Sequence, residues 1–159
     1  MGLAYFISVF IHFMLAAFWI GGMLFLPLVI LPGLKQHPDR IRLLYVTGLK
    51  FRFYGWMALG GLFITGWTNM YFRGMDISLQ FFTNNTYGRW IGVKLLLFVL
   101  ILGMSAVHDF IFGNKALETF EQGNNDHFKK MARWTGRLNL LLAFVMAFLG
   151  LLASRGGVF

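Results

Sequence analysis

Three ionisable side chains stand inside long apolar stretches of this sequence: His12, Lys94 and His108. An ionisable group in such a setting is costly, so each of the three marks a candidate functional site. A buried imidazole is suited to bind haem iron as an axial ligand, or Cu(I) together with methionine thioethers. Zinc is poorly served, because the sequence has no cysteine and no cluster of histidines or carboxylates within these stretches.

Each of these side chains also has a purely structural alternative. His12 could be a neutral histidine that is hydrogen-bonded to a neighbouring helix. Lys94 is close enough to a membrane interface to extend its ammonium to water beside Arg89. His108 precedes Asp109, and the two could form a hydrogen-bonded pair at the opposite interface. If His12 is a ligand, we expect its second ring nitrogen to donate to a backbone carbonyl one turn back.

The composition indicates that the solvent of this chain is lipid. Its 159 residues suffice for one domain, and 58% of them are hydrophobic while only 13% are charged. A soluble domain of this size carries about a quarter charged residues to cover its surface. The lack of cysteine in the sequence also excludes a disulfide framework and thiol catalysis.

Four stretches are long enough to cross a bilayer as helices, which takes about 20 residues. We therefore expect an all-α protein, an integral membrane bundle of four transmembrane helices that forms one domain over residues 1–159. Pro27 and Pro32 are expected to kink or end the first helix. Residues 126–137 carry an apolar and a basic face, which predicts an amphipathic helix at the inner interface. The predicted spans cover about residues 2–34, 53–72, 89–111 and 137–154.

Basic residues are distributed unevenly among the connecting segments. Ten lie in the segments that follow the first and third predicted spans, whereas three lie in the middle segment or at the C-terminus. By the positive-inside rule, both termini lie on the outer, periplasmic side of the inner cell membrane. The formal charge of +8 is then mostly a topology signal and an attraction to the anionic lipid bilayer, and nucleic acid is excluded as a partner.

With this topology, spans one and three run in the same direction and bring His12 and Lys94 to similar depths. His12 lies about 13 Å below the start of its span and Lys94 about 6 Å below the start of its own. A lysine stem of ~6 Å closes most of the difference, so both groups can belong to one site in the outer half. Trp19 lies on the same stripe of its helix as His12.

Several segments resemble two related families of membrane proteins. Residues 11–27 carry a histidine, then a tryptophan and glycines, then Leu-Pro, and are similar to the first helix of the CopD-like proteins and the HemJ-type protoporphyrinogen oxidases. Residues 87–97 are similar to their third helix, and residues 137–139 resemble the start of their last helix. His108 stands about where the HemJ-type proteins carry a histidine. The resemblance implies a four-helix membrane protein that binds haem b through His12, with Lys94 as the second important position.

The chain departs from the HemJ-type pattern at two places. Residues 28–31 are apolar where that pattern has an arginine and a Tyr-His pair, and Leu140 and Leu142 stand where it has glutamate and proline. We therefore expect a CopD-like relative, and the resemblance assigns it no substrate.

Three functions follow as hypotheses. The first is a membrane redox or electron-transfer protein with haem b on His12. In it, Lys94 is the opposite ligand or pairs with a haem propionate. A quinol, a porphyrinogen or a partner subunit supplies the electrons. The second is a Cu(I) transport or resistance protein, and the third is a structural small subunit of a membrane redox complex. A homo-oligomer or a larger complex is expected in each case, and any enzymatic activity would be that of a haem b oxidoreductase. The candidate cofactor-binding residues are His12, Trp19, Arg89, Lys94 and His108, with His12 and His108 as candidate metal ligands.

Overall fold

The computed structural model describes residues 2–75, 78–113 and 126–154, and this part of the chain contains helices and no strand. The all-α prediction is thus confirmed for these residues. Four helices are long, and one short helix precedes the third long one. The helices are α1 (Leu3–Phe25), α2 (Arg40–Phe72), α3 (Leu79–Asn84), α4 (Thr86–Ala106) and α5 (Asp126–Ser154).

Two of the long helices continue beyond their regular part with a wider turn. After α1, the chain forms a π-helix over Leu26–Ile30 and a short helical piece over Leu31–Gly33. Pro27 has no N–H to donate, so the regular hydrogen-bond ladder is interrupted there, as the sequence predicts. After α4, a second π-helix covers Val107–Gly113. Such turns are frequent at functional sites, and this one carries a candidate ligand, His108.

Three helical stretches are long and apolar enough to cross a membrane: Leu3–Gly33, Thr86–Ile111 and Lys130–Leu152. They coincide with the predicted spans one, three and four. Helix α2 contains the predicted second span, but its mean hydropathy is lower because it also carries tryptophan, threonine and asparagine residues near its end. Residues 126–137 are continuous with the last span within α5.

The long helices pack around a small shared core. Helix α1 packs against α2, α4 packs against α5, and α1 also contacts α5. Most large apolar side chains on the outer faces stay exposed, as expected for a surface that lipid covers. The buried core takes side chains from all four long helices: Trp19, Ala58, Leu59, Ile101 and Ala143.

The first helix pair has a regular antiparallel register. For each pair of residues that contact each other between α1 and α2, the two residue numbers add to nearly the same value along the whole interface. Because this register is regular, the position of one contact predicts which residues face each other a turn away. The contacts that set it are Tyr5 with Arg73, His12 with Thr65, Leu15 with Gly61, and Gly22 with Phe51.

The two ends of the bundle are named here by their residues. Tyr5, Arg73 and Tyr87 meet at one end, called the Tyr5 end. Arg52 and Asp109 meet at the other, called the Asp109 end. Helices α1 and α4 therefore run away from the Tyr5 end, and α2 and α5 run back toward it.

The number of membrane crossings stays a prediction, and reporter fusions test it. If α2 crosses the bilayer, fusions after Arg42 and Lys130 should both report a cytoplasmic position, and fusions at Asn84 and after Phe159 an external one. The reason is that the loops rich in lysine and arginine stay inside. A reporter at Asn84 on the same side as one at Arg42 would contradict the four-span topology.

Candidate functional site

The imidazole of His12 is held by a threonine on the neighbouring helix. Its Nδ1 lies 2.8 Å from Thr65 Oγ1, and that hydroxyl donates to the Gly61 carbonyl oxygen at 2.7 Å. When the hydroxyl keeps this bond to Gly61, Thr65 accepts from His12 and the imidazole carries its proton on Nδ1; the Leu62 backbone carbonyl also hydrogen-bonds to the ring. The lone pair then resides on Nε2. The acceptor is thus a side chain of α2 and not the expected carbonyl one turn back in α1, since that carbonyl already accepts a helical N–H.

His108 is held in the same way on the other helix pair. Its Nδ1 lies 3.0 Å from Thr135 Oγ1, and this hydroxyl donates to the Met131 carbonyl oxygen at 3.0 Å. The proton again belongs on Nδ1 and the lone pair on Nε2. Each ring also hydrogen-bonds to a backbone carbonyl in the turn before its threonine, that of Leu62 for His12 and that of Ala132 for His108.

The two imidazoles share further surroundings. Each ring rests on the glycine that follows its threonine: a Cβ added to Gly66 would lie 3.6 Å from His12 Cε1, and one added to Gly136 would lie 3.4 Å from His108 Cε1. An asparagine follows each threonine one turn later, so both helices contain the pattern Thr-Gly-x-x-Asn. A serine precedes each histidine by about one turn. The two sets are Ser8, His12, Thr65, Gly66 and Asn69, and Ser105, His108, Thr135, Gly136 and Asn139.

The serine and the asparagine behave differently in the two sets. Asn139 Nδ2 donates to Ser105 Oγ at 2.9 Å, and both side chains are buried. The α1–α2 register places Ser8 opposite Asn69, yet Ser8 Oγ and Asn69 Oδ1 are buried without a hydrogen-bond partner among the described residues. In the second set, Asn139 Oδ1 is likewise buried without one. An unsatisfied buried polar group costs about 1–3 kcal/mol. Both sets therefore have polar atoms available to a bound molecule, two in the first set and one in the second.

One cation acts on His12, and a second cation acts on the first. The half-buried Lys94 ammonium acts electrostatically on the His12 imidazole, and Arg73 acts on Lys94. Arg73 donates from Nε to Tyr5 OH at 2.7 Å and from Nη1 to Tyr87 OH. No carboxylate within the described ranges pairs with either cation. The surroundings of His12 are thus positively charged and suited to an anionic partner.

The surroundings of His108 are of mixed charge. Asp109 Oδ2 accepts from Trp56 Nε1 at 3.0 Å, and the Asp109 backbone carbonyl accepts from Arg52 Nη1 at 3.2 Å. The Arg52 guanidinium also lies 5.4 Å from the centre of the Phe110 ring. The hydrogen-bond partner of His108 is therefore Thr135, while the Asp109 carboxylate is held by α2.

The structure groups the predicted site residues in two places and leaves two of them apart. His12 and Lys94 lie toward the Tyr5 end, while His108 is 14 residues further along α4 than Lys94, which is about 21 Å of helix. His12 and His108 are thus too far apart to bind one ion. Trp19 packs in the buried core against Gly55, and Arg89 is exposed in the first turn of α4. Within the described residues, no group of three His, Asp or Glu side chains surrounds a possible metal position.

The sequence analysis missed the residues that hold the two imidazoles. Thr65 and Thr135, and also Arg73, enter the site only once the helices are paired. A signal for the threonines is nonetheless present in the sequence, because Thr-Gly-x-x-Asn occurs in both helices with its residues on one face.

The proton positions on the histidines can be measured by ¹⁵N NMR of the cofactor-free protein at pH 8. We expect His12 and His108 to show a protonated Nδ1 and an unprotonated Nε2, because each threonine can only accept. His37 is the internal control: its Nδ1 accepts from the Asp39 backbone N–H at 3.1 Å, so its proton should be on Nε2. A protonated Nε2 on neutral His12 would contradict the geometry described here.

Comparisons with known proteins identify the family. Residues 47–153 match the family model described as copper resistance protein D, CopD. This segment contains Lys94, His108 and both Thr-Gly-x-x-Asn patterns, and it begins after His12. The chain is also 34% identical over 149 residues to an uncharacterized protein of Aquifex aeolicus (strain VF5), covering 92% of this chain and 93% of that one. No solved structure matches the chain. The chain is therefore an integral membrane protein that belongs to the CopD family.

Proposed function

We propose that this protein is a membrane redox protein that binds haem b, with His12 as an axial ligand. One observation carries the proposal: Thr65 holds the His12 ring through Nδ1, so that a neutral ring with its proton there presents the lone pair of Nε2, and Lys94 acts electrostatically on the same ring. An imidazole in this state is what a metal ion requires, since the ligand must be neutral and its lone pair accessible.

The threonine supports ligation as well as packing. A histidine that binds a metal almost always donates its other ring N–H to an acceptor, which fixes the ring and raises the basicity of the ligating nitrogen. Thr65 supplies that acceptor, and its own hydroxyl is fixed by the Gly61 carbonyl. The ring therefore has one orientation before any ligand binds, which lowers the cost of ordering it.

The charges near His12 favour haem over a bare copper ion. Two like unit charges 8 Å apart repel each other by about 2 kcal/mol at an effective dielectric constant of 20. A Cu(I) ion at His12 would meet this repulsion from Lys94 and Arg73, whereas the propionates of haem are anions. We propose that Lys94 and Arg73 pair with those propionates, and that the unsatisfied Ser8 and Asn69 side chains accept or donate further hydrogen bonds.

Haem b, when bound, supplies one-electron chemistry that no side chain of this chain provides. The residues of the chain bind and orient the group and hold its charges. A quinol within the bilayer or a partner subunit is the proposed electron source. We propose that the Tyr5 end, and with it His12, faces the outer side, because basic residues are in excess in the two loops at the other end.

Copper handling is the second candidate, and the family description favours it. A Cu(I) ion would bind histidine nitrogen together with methionine sulfur, because both are acceptable ligands for a soft ion. The two candidates differ in the bound species: one gives a coloured haem protein and the other a colourless protein that retains copper.

The test is the haem and copper content of the purified protein and of four variants. We expect a Soret band with a reduced α-band in the parent protein and its near-complete loss in His12→Ala. Thr65→Val should weaken haem binding roughly 10- to 100-fold, because a supporting hydrogen bond to the ligand is lost. Lys94→Met should also lower haem retention, since it removes a cation that pairs with a propionate.

The matched control is Thr68→Val. Thr68 lies on the same helix and donates to the Ile64 carbonyl at 2.8 Å, as Thr65 does to Gly61, but is not bonded to a histidine. It should retain haem like the parent. An unchanged spectrum in His12→Ala would exclude His12 as an axial ligand, and a colourless parent protein that retains copper would favour the second candidate.

A further inference from the structure

We propose that His108 forms a second site for the same class of ligand, so that each chain holds two metal-centred groups at two depths. This inference rests on the proposed function, because it extends the ligand of His12 to a second position. It is carried by the set of five residues that occurs twice. One set lies on α1 and α2, and the other lies on α5 and on α4 with its π-helical extension.

The two sets have the same direction relative to the bundle. In each, the histidine lies on a helix that runs away from the Tyr5 end, and the threonine on a helix that returns to it. The serine and the asparagine lie on the Tyr5 side of the histidine and threonine in both sets. The second set is thus the first one displaced along the helix axes and not an inverted copy.

The displacement is large enough for two separate groups. Lys94 lies near His12, and His108 follows Lys94 by 14 residues, or about 21 Å along α4. Helix α5 gives a similar spacing. Lys94 Nζ lies 3.6 Å from the position that a Cβ of Gly150 would take, and Gly150 follows Thr135, the partner of His108, by 15 residues. The two positions are therefore stacked across the thickness of a membrane.

The two rings share their hydrogen bonds in detail. In both sets, Nδ1 lies within hydrogen-bond distance of a threonine hydroxyl that also reaches a backbone carbonyl, and the ring hydrogen-bonds to a second carbonyl, that of Leu62 or Ala132. With the ring proton on Nδ1, the lone pair is on Nε2. Each arrangement presents one lone pair, which is the requirement for a metal ligand.

The two positions differ in charge, and this predicts a direction of electron flow. Lys94 and Arg73 surround the His12 position without a carboxylate from the described residues, whereas Arg52 and the Asp109 carboxylate lie together near His108. Positive charge stabilises the reduced form of a bound group by Coulomb attraction. The group at His12 should have the higher potential, so electrons favour it over the group at His108.

The test is the number of haem groups per chain in haem-loaded protein in detergent. It is the ratio of the haem concentration to the protein concentration, the latter determined by amino-acid analysis. We expect two per chain in the parent, one in His12→Ala, one in His108→Ala and none in the double variant. Thr135→Val, which keeps the shape of the side chain, should lose the second haem selectively on dilution. A redox titration of the parent should resolve two steps, and the step that remains in His108→Ala should be the one at higher potential.

His37→Ala is the control, because His37 is exposed in a loop and should leave both haem groups in place. Size-exclusion elution like that of the parent shows that each variant is folded. This inference would be overturned by a parent protein with one haem per chain, if His12→Ala removes that haem and both Thr135→Val and His108→Ala retain it. The proposed function would then still stand. A parent protein without haem would overturn the proposed function itself.

Discussion

The hydrogen bond between His12 Nδ1 and Thr65 Oγ1 determines what the rest of the site can do. At 2.8 Å, it fixes the orientation of the imidazole, and when the threonine donates to Gly61 it also sets the proton of the ring on Nδ1. The bond forms only if α1 and α2 keep their register, so the packing from Tyr5 to Gly22 bears directly on the chemistry. A slip by one residue would turn Thr65 away from His12 and leave two polar groups unpaired in lipid.

Packing and charge act together around this bond. Small residues on both helices allow a close approach: Leu15 packs over Gly61, and the imidazole rests on Gly66. The third and fourth long helices then bring Lys94 to the same depth, where no acidic side chain of the described residues compensates it. An uncompensated ammonium in a membrane is costly, which is why we propose an anionic partner for Lys94.

Much of the fold could be predicted from the sequence, because its signals are local. The low charge content and the long apolar runs specify membrane-crossing helices, and the rise of 1.5 Å per residue gives the depths of His12 and Lys94. The weaker hydropathy of α2 leaves its crossing a prediction. The predicted resemblance to the CopD family is confirmed by the CopD match over residues 47–153, which contains residues 87–97.

The site could be predicted only in part, because its partners come from helix pairing. Nothing in the apolar sequence says that Thr65 faces His12 or that Arg73 approaches Lys94, since many registers bury similar apolar surface. The repeated Thr-Gly-x-x-Asn pattern is the exception: its four-residue spacing puts threonine and asparagine on one helical face in both halves. Its meaning depends on the histidine opposite, which only the paired helices show.

The central claim is that Nε2 of His12 is the atom that binds the metal of a haem. Electron–nuclear double resonance tests it directly on the oxidised, haem-loaded His108→Ala protein in which histidine is labelled with ¹⁵N at Nε2 alone. The account predicts a strongly coupled ¹⁵N nucleus on the ferric iron. A haem without that coupling, or a strong coupling that appears only when the label is at Nδ1, would contradict it.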